Sequence, residues 1–295
     1  MTSADRTTVQ APKGKEHPLT RTTQPPGSLV LKIGGSLFSD KSRPGSLDEK
    51  VFASYAALVA DLAKARPGRI VLVTGGGAFG HGALRGLDPD DPFAPLPFVQ
   101  ATAGVRWRWV SALTDMGVRA LPLQLGAFST VDPAHPLGVA VAEEPLKALL
   151  AAGVLPVLSG DCLLRPDGSL EAFSSDRTPE VLVRALGETP RVVTLTDVPG
   201  VLTGGPGSDD VLELIDAHHP EDAYRHVWKE SEWDASGAMQ GKLDALVACA
   251  RQGAECFIMR GDPGLSDLRH LTRPEDEWPL GLKRTRIALP QEEAR

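Results

Sequence analysis

Four times along the chain a short apolar run stops at a glycine or an aspartate and gives way to an amphipathic stretch. Leu29 to Ile33 ends at Gly34-Gly35-Ser36, Arg69 to Thr74 at Gly75-Gly76-Gly77, Leu155 to Ser159 at Gly160-Asp161, and Arg191 to Thr196 at Asp197. Apolar runs this short read as strands buried on both faces, and the stretches near 47–65, 99–117, 142–152 and 178–187 read as the helices covering them. Alternation of this kind predicts an α/β fold, a three-layer αβα sandwich around a mostly parallel central sheet. Ligands of such sheets collect beyond the carboxyl ends of the strands, so the four loops are expected to converge.

The remaining segments fill in around that frame. Residues 161–176 read as a hairpin turning at Pro166-Asp167-Gly168, residues 241–252 as a helix, and residues 256–259 as a further strand. Pro-rich residues 85–97 read either as a lid over the sheet edge or as a plain surface loop. The first 28 residues mix Thr, Pro, Gln and Lys without an apolar block, which predicts a flexible tail; a second, polar tail is expected over 286–295.

A formal net charge of -7 and a pI of about 5.5 leave no global basic field, so neither nucleic acid nor a membrane is an expected partner and any anion must be captured locally. Cys162, Cys249 and Cys256 are too few and too widely spaced for a disulfide framework or a zinc site, which points to a reducing cytoplasm. No run approaches the roughly 18 consecutive apolar residues of a membrane-spanning helix.

Local anion capture is what the loops offer. Lys32 closes the first strand directly before Gly34-Gly35-Ser36, beside amides that can approach a phosphate closely; an ordinary edge lysine and a plain turn would look the same. Gly75-Gly76-Gly77 strips side chains from a strand-to-helix junction, and the run to Gly80-His81 fits neither the G-x-G-x-x-G nor the Walker spacing. His81 could donate to an acceptor oxygen or satisfy local backbone. Ser174 and Ser175 could simply cap the helix opening at Thr178, but capping does not require Asp176, whose carboxylate could fix nearby ammonium groups. Asp197 opens a loop flexible enough to close over a nucleotide base. Lys242 stands early in a helix, where its charge opposes the macrodipole unless an anion lies between them.

Taken together, Lys32-Ile33-Gly34-Gly35-Ser36, the Gly75 to His81 loop, Ser174-Ser175-Asp176, Thr196-Asp197-Val198-Pro199-Gly200-Val201 and Ser236-Gly237-Ala238-Met239-Gln240-Gly241-Lys242 resemble the amino acid kinase superfamily over about residues 29–285. The histidine after Gly75 to Gly80 is similar to the isopentenyl phosphate kinase branch. Longer strings, among them Ala172-Phe173-Ser174-Ser175-Asp176-Arg177 and Ser231-Glu232-Trp233-Asp234, resemble the fosfomycin kinases. The resemblance implies an acceptor lobe over about 29–185, a nucleotide lobe over about 186–285 and a homodimer. It implies ATP with Mg²⁺ held on its phosphates and water rather than by protein ligands, and a small phosphonate acceptor, fosfomycin, with isopentenyl phosphate or a non-catalytic oxyanion-binding role as the alternatives.

Carried over by motif, Lys32 and Lys242 hold the transferring phosphoryl group and Asp176 orients them, with Gly34, Gly35, Ser36, Gly77, Asp197, Gly200 and Gly237 around ATP. Lys41, Gly75, Gly76, His81, Gly160, Ser174, Ser175 and Ser236 surround the acceptor. Two departures bear on this. Ser236 stands where the motif leads one to expect threonine, keeping the hydroxyl, and Ser175 stands where the isopentenyl branch tends to carry glycine.

Overall fold

The computed structural model describes residues 22–40, 42–187, 190–204, 208–227, 238–262 and 266–290. The four apolar runs become β1 (Ser28–Ile33), β2 (Ile70–Thr74), β6 (Leu155–Ser159) and β9 (Pro190–Thr196), and every residue in them is buried. They are joined in one sheet by β3 (Ala120–Pro122), β10 (Leu214–Asp216), β11 (Glu255–Arg260) and β12 (Arg284–Ala288). Among the described residues its order is β10-β12-β11-β9-β1-β2-β6-β3, parallel throughout except where β11 meets β12.

Alternate residues of β1 enter different cores, as the two-residue period of a strand requires. Leu29, Leu31 and Ile33 pack with Phe52, Tyr55 and Val59 of α1 (Glu49–Ala65) and with Val105 and Trp109 of α3 (Leu96–Asp115). Val30 joins the opposite core with Val181 and Leu182 of α5 (Thr178–Leu182) and Leu243 and Leu246 of α7 (Ala238–Arg251). Helices therefore cover both faces, giving the expected three layers. Lys32, two residues after Val30, is directed to the α5 and α7 side.

A second sheet of four strands, β5-β4-β7-β8, sits beside the first. Its hairpin is the expected one: β7 (Asp161–Leu164) and β8 (Leu170–Phe173) are antiparallel, closed by the Arg165 N–H on the Ser169 carbonyl at 2.8 Å. Its other two strands, β4 (Ser129–Val131) and β5 (Val139–Val141), are three residues each and show no readable period. The Pro-rich segment is pinned to this hairpin, since the Leu170 N–H donates to the Pro92 carbonyl at 2.8 Å and Cys162 Sγ contacts the Pro95 carbonyl at 3.4 Å. Short helices α2 (Gly77–Ala83), α4 (Glu144–Ala151) and α6 (Glu221–Tyr224) complete the chain.

Both ends of the fold differ from expectation. At the first, β1 begins at Ser28, and the Thr22 carbonyl already accepts the Glu275 N–H at 3.0 Å; residues before 22 lie outside the described residues. At the second, the polar tail expected past 285 opens with β12, which pairs on both sides. Arg284 and Arg286 make the sequence look polar, but they alternate with Thr285 and Ile287, both fully buried, and reach the buried carboxylate of Glu275. Ile287→Ala should therefore cost about 2–4 kcal/mol in urea denaturation, as for a core truncation. A change under about 0.5 kcal/mol would return the segment to a tail.

Candidate active site

Three charges from three elements meet at the carboxyl ends of the strands. Lys32 Nζ, on the central strand, donates to Asp176 Oδ1, and Lys242 Nζ, on α7, lies 3.4 Å from Asp176 Oδ2. The lysine side chains are 3% and 12% exposed and the aspartate 20%. Burial alone would raise the Asp176 carboxyl, but the Lys32 ammonium, and behind it Lys242, hold it down at about 2. One carboxylate thus orients two ammonium groups, and the trio as a whole is cationic. Helix α7 starts at Ala238, earlier than expected, so Lys242 stands a full turn in and its conflict with the helix dipole is weaker than the sequence implied.

The serines before Asp176 do not cap α5. Arg177 occupies the cap position with no side-chain cap bond, while Ser174 Oγ instead accepts the Asp176 N–H at 3.2 Å. Thr178 Oγ1 anchors the helix start to the end of β6 through the Ser159 carbonyl at 3.2 Å.

Beside the charges, the two glycine corners touch backbone to backbone. A Cβ on Gly35 would overlap the Gly77 main chain, and one on Gly75 would overlap the Gly35 amide. The corners are tied to the sheet by Gly34 N–H to Leu195 O at 3.0 Å and Gly75 N–H to Ile33 O at 2.8 Å. Ser39, not singled out from the sequence, joins them: its hydroxyl donates to Gly35 O at 2.7 Å and accepts the Ala78 N–H at 2.9 Å. A lone serine four residues past a glycine carries no signal of this. The result is a side-chain-free backbone junction beside the charge cluster, mostly buried and opening at half-buried Gly76, a composition that suits close approach by a phosphate.

The other expected residues fall as follows. Ser36 is exposed in the turn after β1, and Gly76 precedes α2, in whose backbone His81 lies. Gly160 is enclosed: a Cβ there would come within 2.7 Å of Phe98 Cζ and 3.2 Å of the Ser175 nitrogen. Asp197 is exposed and accepts the Thr196 hydroxyl at 2.8 Å, while Gly200 is buried against Thr285 and Val211. Lys41, Ser236 and Gly237 lie outside the described residues. Cavities of about 430 and 390 Å³ open elsewhere, where Asp209, Gly281, Leu282 and Lys283 line both, away from Lys32 and Asp176.

Residues 28–260 match the amino acid kinase family. The chain belongs to that family. It is 31% identical over 258 residues to the isopentenyl phosphate kinase of Haloferax volcanii, spanning 80% of this chain and 96% of that protein. It is 27% identical over 247 residues to the isopentenyl phosphate kinase of Methanothermobacter thermautotrophicus, at 78% and 90%. Glutamate 5-kinase of Gloeobacter violaceus is 27% identical over 239 residues, covering 80% of this chain and 63% of its own length. Two solved isopentenyl phosphate kinases, one from T. acidophilum, share the fold at TM-scores of 0.66 and 0.62 and 22% and 21% identity; each match covers 88% of this chain, with 100% and 99% of theirs. As an amino acid kinase family member the chain is an ATP-dependent phosphotransferase, working with Mg²⁺ as these kinases do.

The charge cluster makes a stability prediction with a definite sign. Because the folded Asp176 carboxyl sits near 2, below its ordinary 3.8, its contribution is full above about pH 4 and is lost as pH falls through 2. Asp176→Asn should thus destabilise by about 2 kcal/mol at neutral pH, with the gap to wild type narrowing between pH 4 and 2 in urea melts. A gap that does not change across that window would exclude the carboxylate's charge as its cause.

Proposed function

We propose that this chain transfers the γ-phosphoryl group of ATP to a small acceptor that already bears a phosphate or phosphonate, with isopentenyl phosphate the acceptor its relatives favour. The observation that carries the reading is Asp176 holding Lys32 and Lys242 together beside the glycine corners. An acceptor oxygen of this kind is ionised near neutral pH, so it attacks without a general base. Its new bond to the γ-phosphorus forms as the bond to the β-phosphate oxygen breaks, and ADP leaves with the electron pair.

Repulsion is the barrier to be overcome. Two unit charges about 4 Å apart interact by roughly 4 kcal/mol at an effective dielectric of about 20, and here several face one another. Lys32, Lys242 and the corner amides supply fixed positive charge where the transferring group passes, which favours a loose in-line transfer. Mg²⁺ on the phosphates adds to that neutralisation. In this reading His81, Gly75, Gly76, Gly160, Ser174 and Ser175 face the acceptor, Gly34, Gly35, Ser36, Gly77, Asp197 and Gly200 face ATP, and Lys41, Ser236 and Gly237 complete the site. A homodimer across the open edge of β3 belongs to the same reading, and exposed Leu121 and Trp107 suit it.

A second reading, fosfomycin as acceptor, is favoured by a specific observation. Phe98 fills the space against Gly160 and Gly80, and Ser175 adds a side chain where the isopentenyl branch tends to have none; both suit a compact acceptor over one with a five-carbon tail. ADP release measured with isopentenyl phosphate and fosfomycin side by side separates the two, and inactivity with both would sink the kinase reading. On whichever acceptor is used, Lys242→Ala should lower kcat by about two to four orders of magnitude, and unchanged turnover would remove Lys242 from the mechanism.

A further inference from the structure

One face of α3 carries a stripe of buried side chains, Phe98, Thr102, Arg106 and Trp109, spaced by four, four and three residues. Two of them do the same thing to neighbouring strands. The Trp109 indole N–H donates to Thr74 Oγ1 at 2.9 Å, and the Thr74 hydroxyl lies 3.2 Å from the Gly75 carbonyl. Arg106 Nη1 donates to Ser159 Oγ at 3.0 Å, and the Ser159 hydroxyl lies 2.9 Å from the Gly160 carbonyl. Thr74 and Ser159 are the last residues of β2 and β6 and stand directly opposite each other in register.

The chemistry of the groups fixes the direction of each chain of bonds. An indole N–H and a guanidinium donate and cannot accept, so each hydroxyl must receive from α3 and has one proton left, which goes to the glycine carbonyl. A carbonyl held toward α3 turns the N–H of the same trans peptide the other way, so the Gly76 amide is turned away from the helix. The Arg106 charge is itself balanced, since Asp161 Oδ2 lies 3.6 Å away and is fixed by the Gly126 N–H at 3.1 Å. Neither side chain reaches the charge cluster around Asp176, and the sequence singled out neither.

We propose that Trp109 and Arg106 are positioning residues that, through the in-register hydroxyls of Thr74 and Ser159, set the peptide orientation of the Gly75 and Gly160 corners for the acceptor. The inference rests on the reading above that these corners face the acceptor rather than ATP. It predicts an asymmetry that a purely structural role lacks. Trp109→Phe keeps the ring and loses the donor, so the acceptor KM should rise about three- to tenfold, one hydrogen bond's worth, with the ATP KM within about twofold of wild type. Thr74→Val should do the same, the double variant should be no worse than either single one, and Thr74→Ser, which keeps the hydroxyl, should restore the wild-type acceptor KM.

Hydrogen exchange followed by mass spectrometry on the full chain gives a readout that does not need activity. In Trp109→Phe, residues 74–80 should exchange faster while the exchange of α1 and β9 is unchanged. Unchanged exchange over 74–80, or acceptor and ATP KM values that rise together, would overturn the inference. If wild type phosphorylates neither acceptor, the kinase reading fails, and the exchange measurement still decides whether Trp109 holds the corner.

Discussion

Everything at this site depends on one carboxylate between two ammonium groups. Lys32 is carried by the middle strand of the sheet, where a lone charge would be severely penalised, and Asp176 makes that burial tolerable. The same carboxylate holds Lys242 from α7, so residues distant in the chain become one electrostatic unit. Two positive charges against one negative give those three residues a net positive charge, beside the junction where the glycine corners touch.

Much of this was legible in the residues, for identifiable physical reasons. Strands buried on both faces announce themselves as unbroken apolar runs, which is why β1, β2, β6 and β9 were plain and the partly exposed three-residue strands β3, β4 and β5 were not. Strand β12 was missed because its arginines dominate its appearance, although the alternation with Thr285 and Ile287 is the mark of a strand. Of the site, the lysines and glycines were visible because they sit at strand and helix ends where such residues are unusual. Ser39, Thr178, Arg106 and Trp109 were not, since each acts through a partner far away in sequence and belongs to a residue type common everywhere.

The proposed function draws its charge machinery and its acceptor preference from separate parts of the structure. In the proposed reading Lys32, Asp176, Lys242 and the touching glycine corners deal with phosphate whatever it is attached to. What the phosphate is attached to is, in that reading, a question of volume, with the walls supplied by Phe98 and the hairpin end at Phe173 and Ser175, packed around Gly160. Helix α3 supplies one of those walls and also the donors behind both corners. In that reading a change in α3 acts on selectivity and leaves the ammonium pair in place.

Strands β1 and β9 are paired without interruption over six positions, from Ser28 with Pro190 to Ile33 with Leu195. That ladder lies between the parts of the chain that the acceptor and nucleotide readings assign to different ligands. A hinge there would have to break main-chain bonds in the most buried strands of the molecule. On the proposed reading, any opening and closing during turnover belongs to segments above the sheet, and this ladder stays whole as a common floor beneath both ligands.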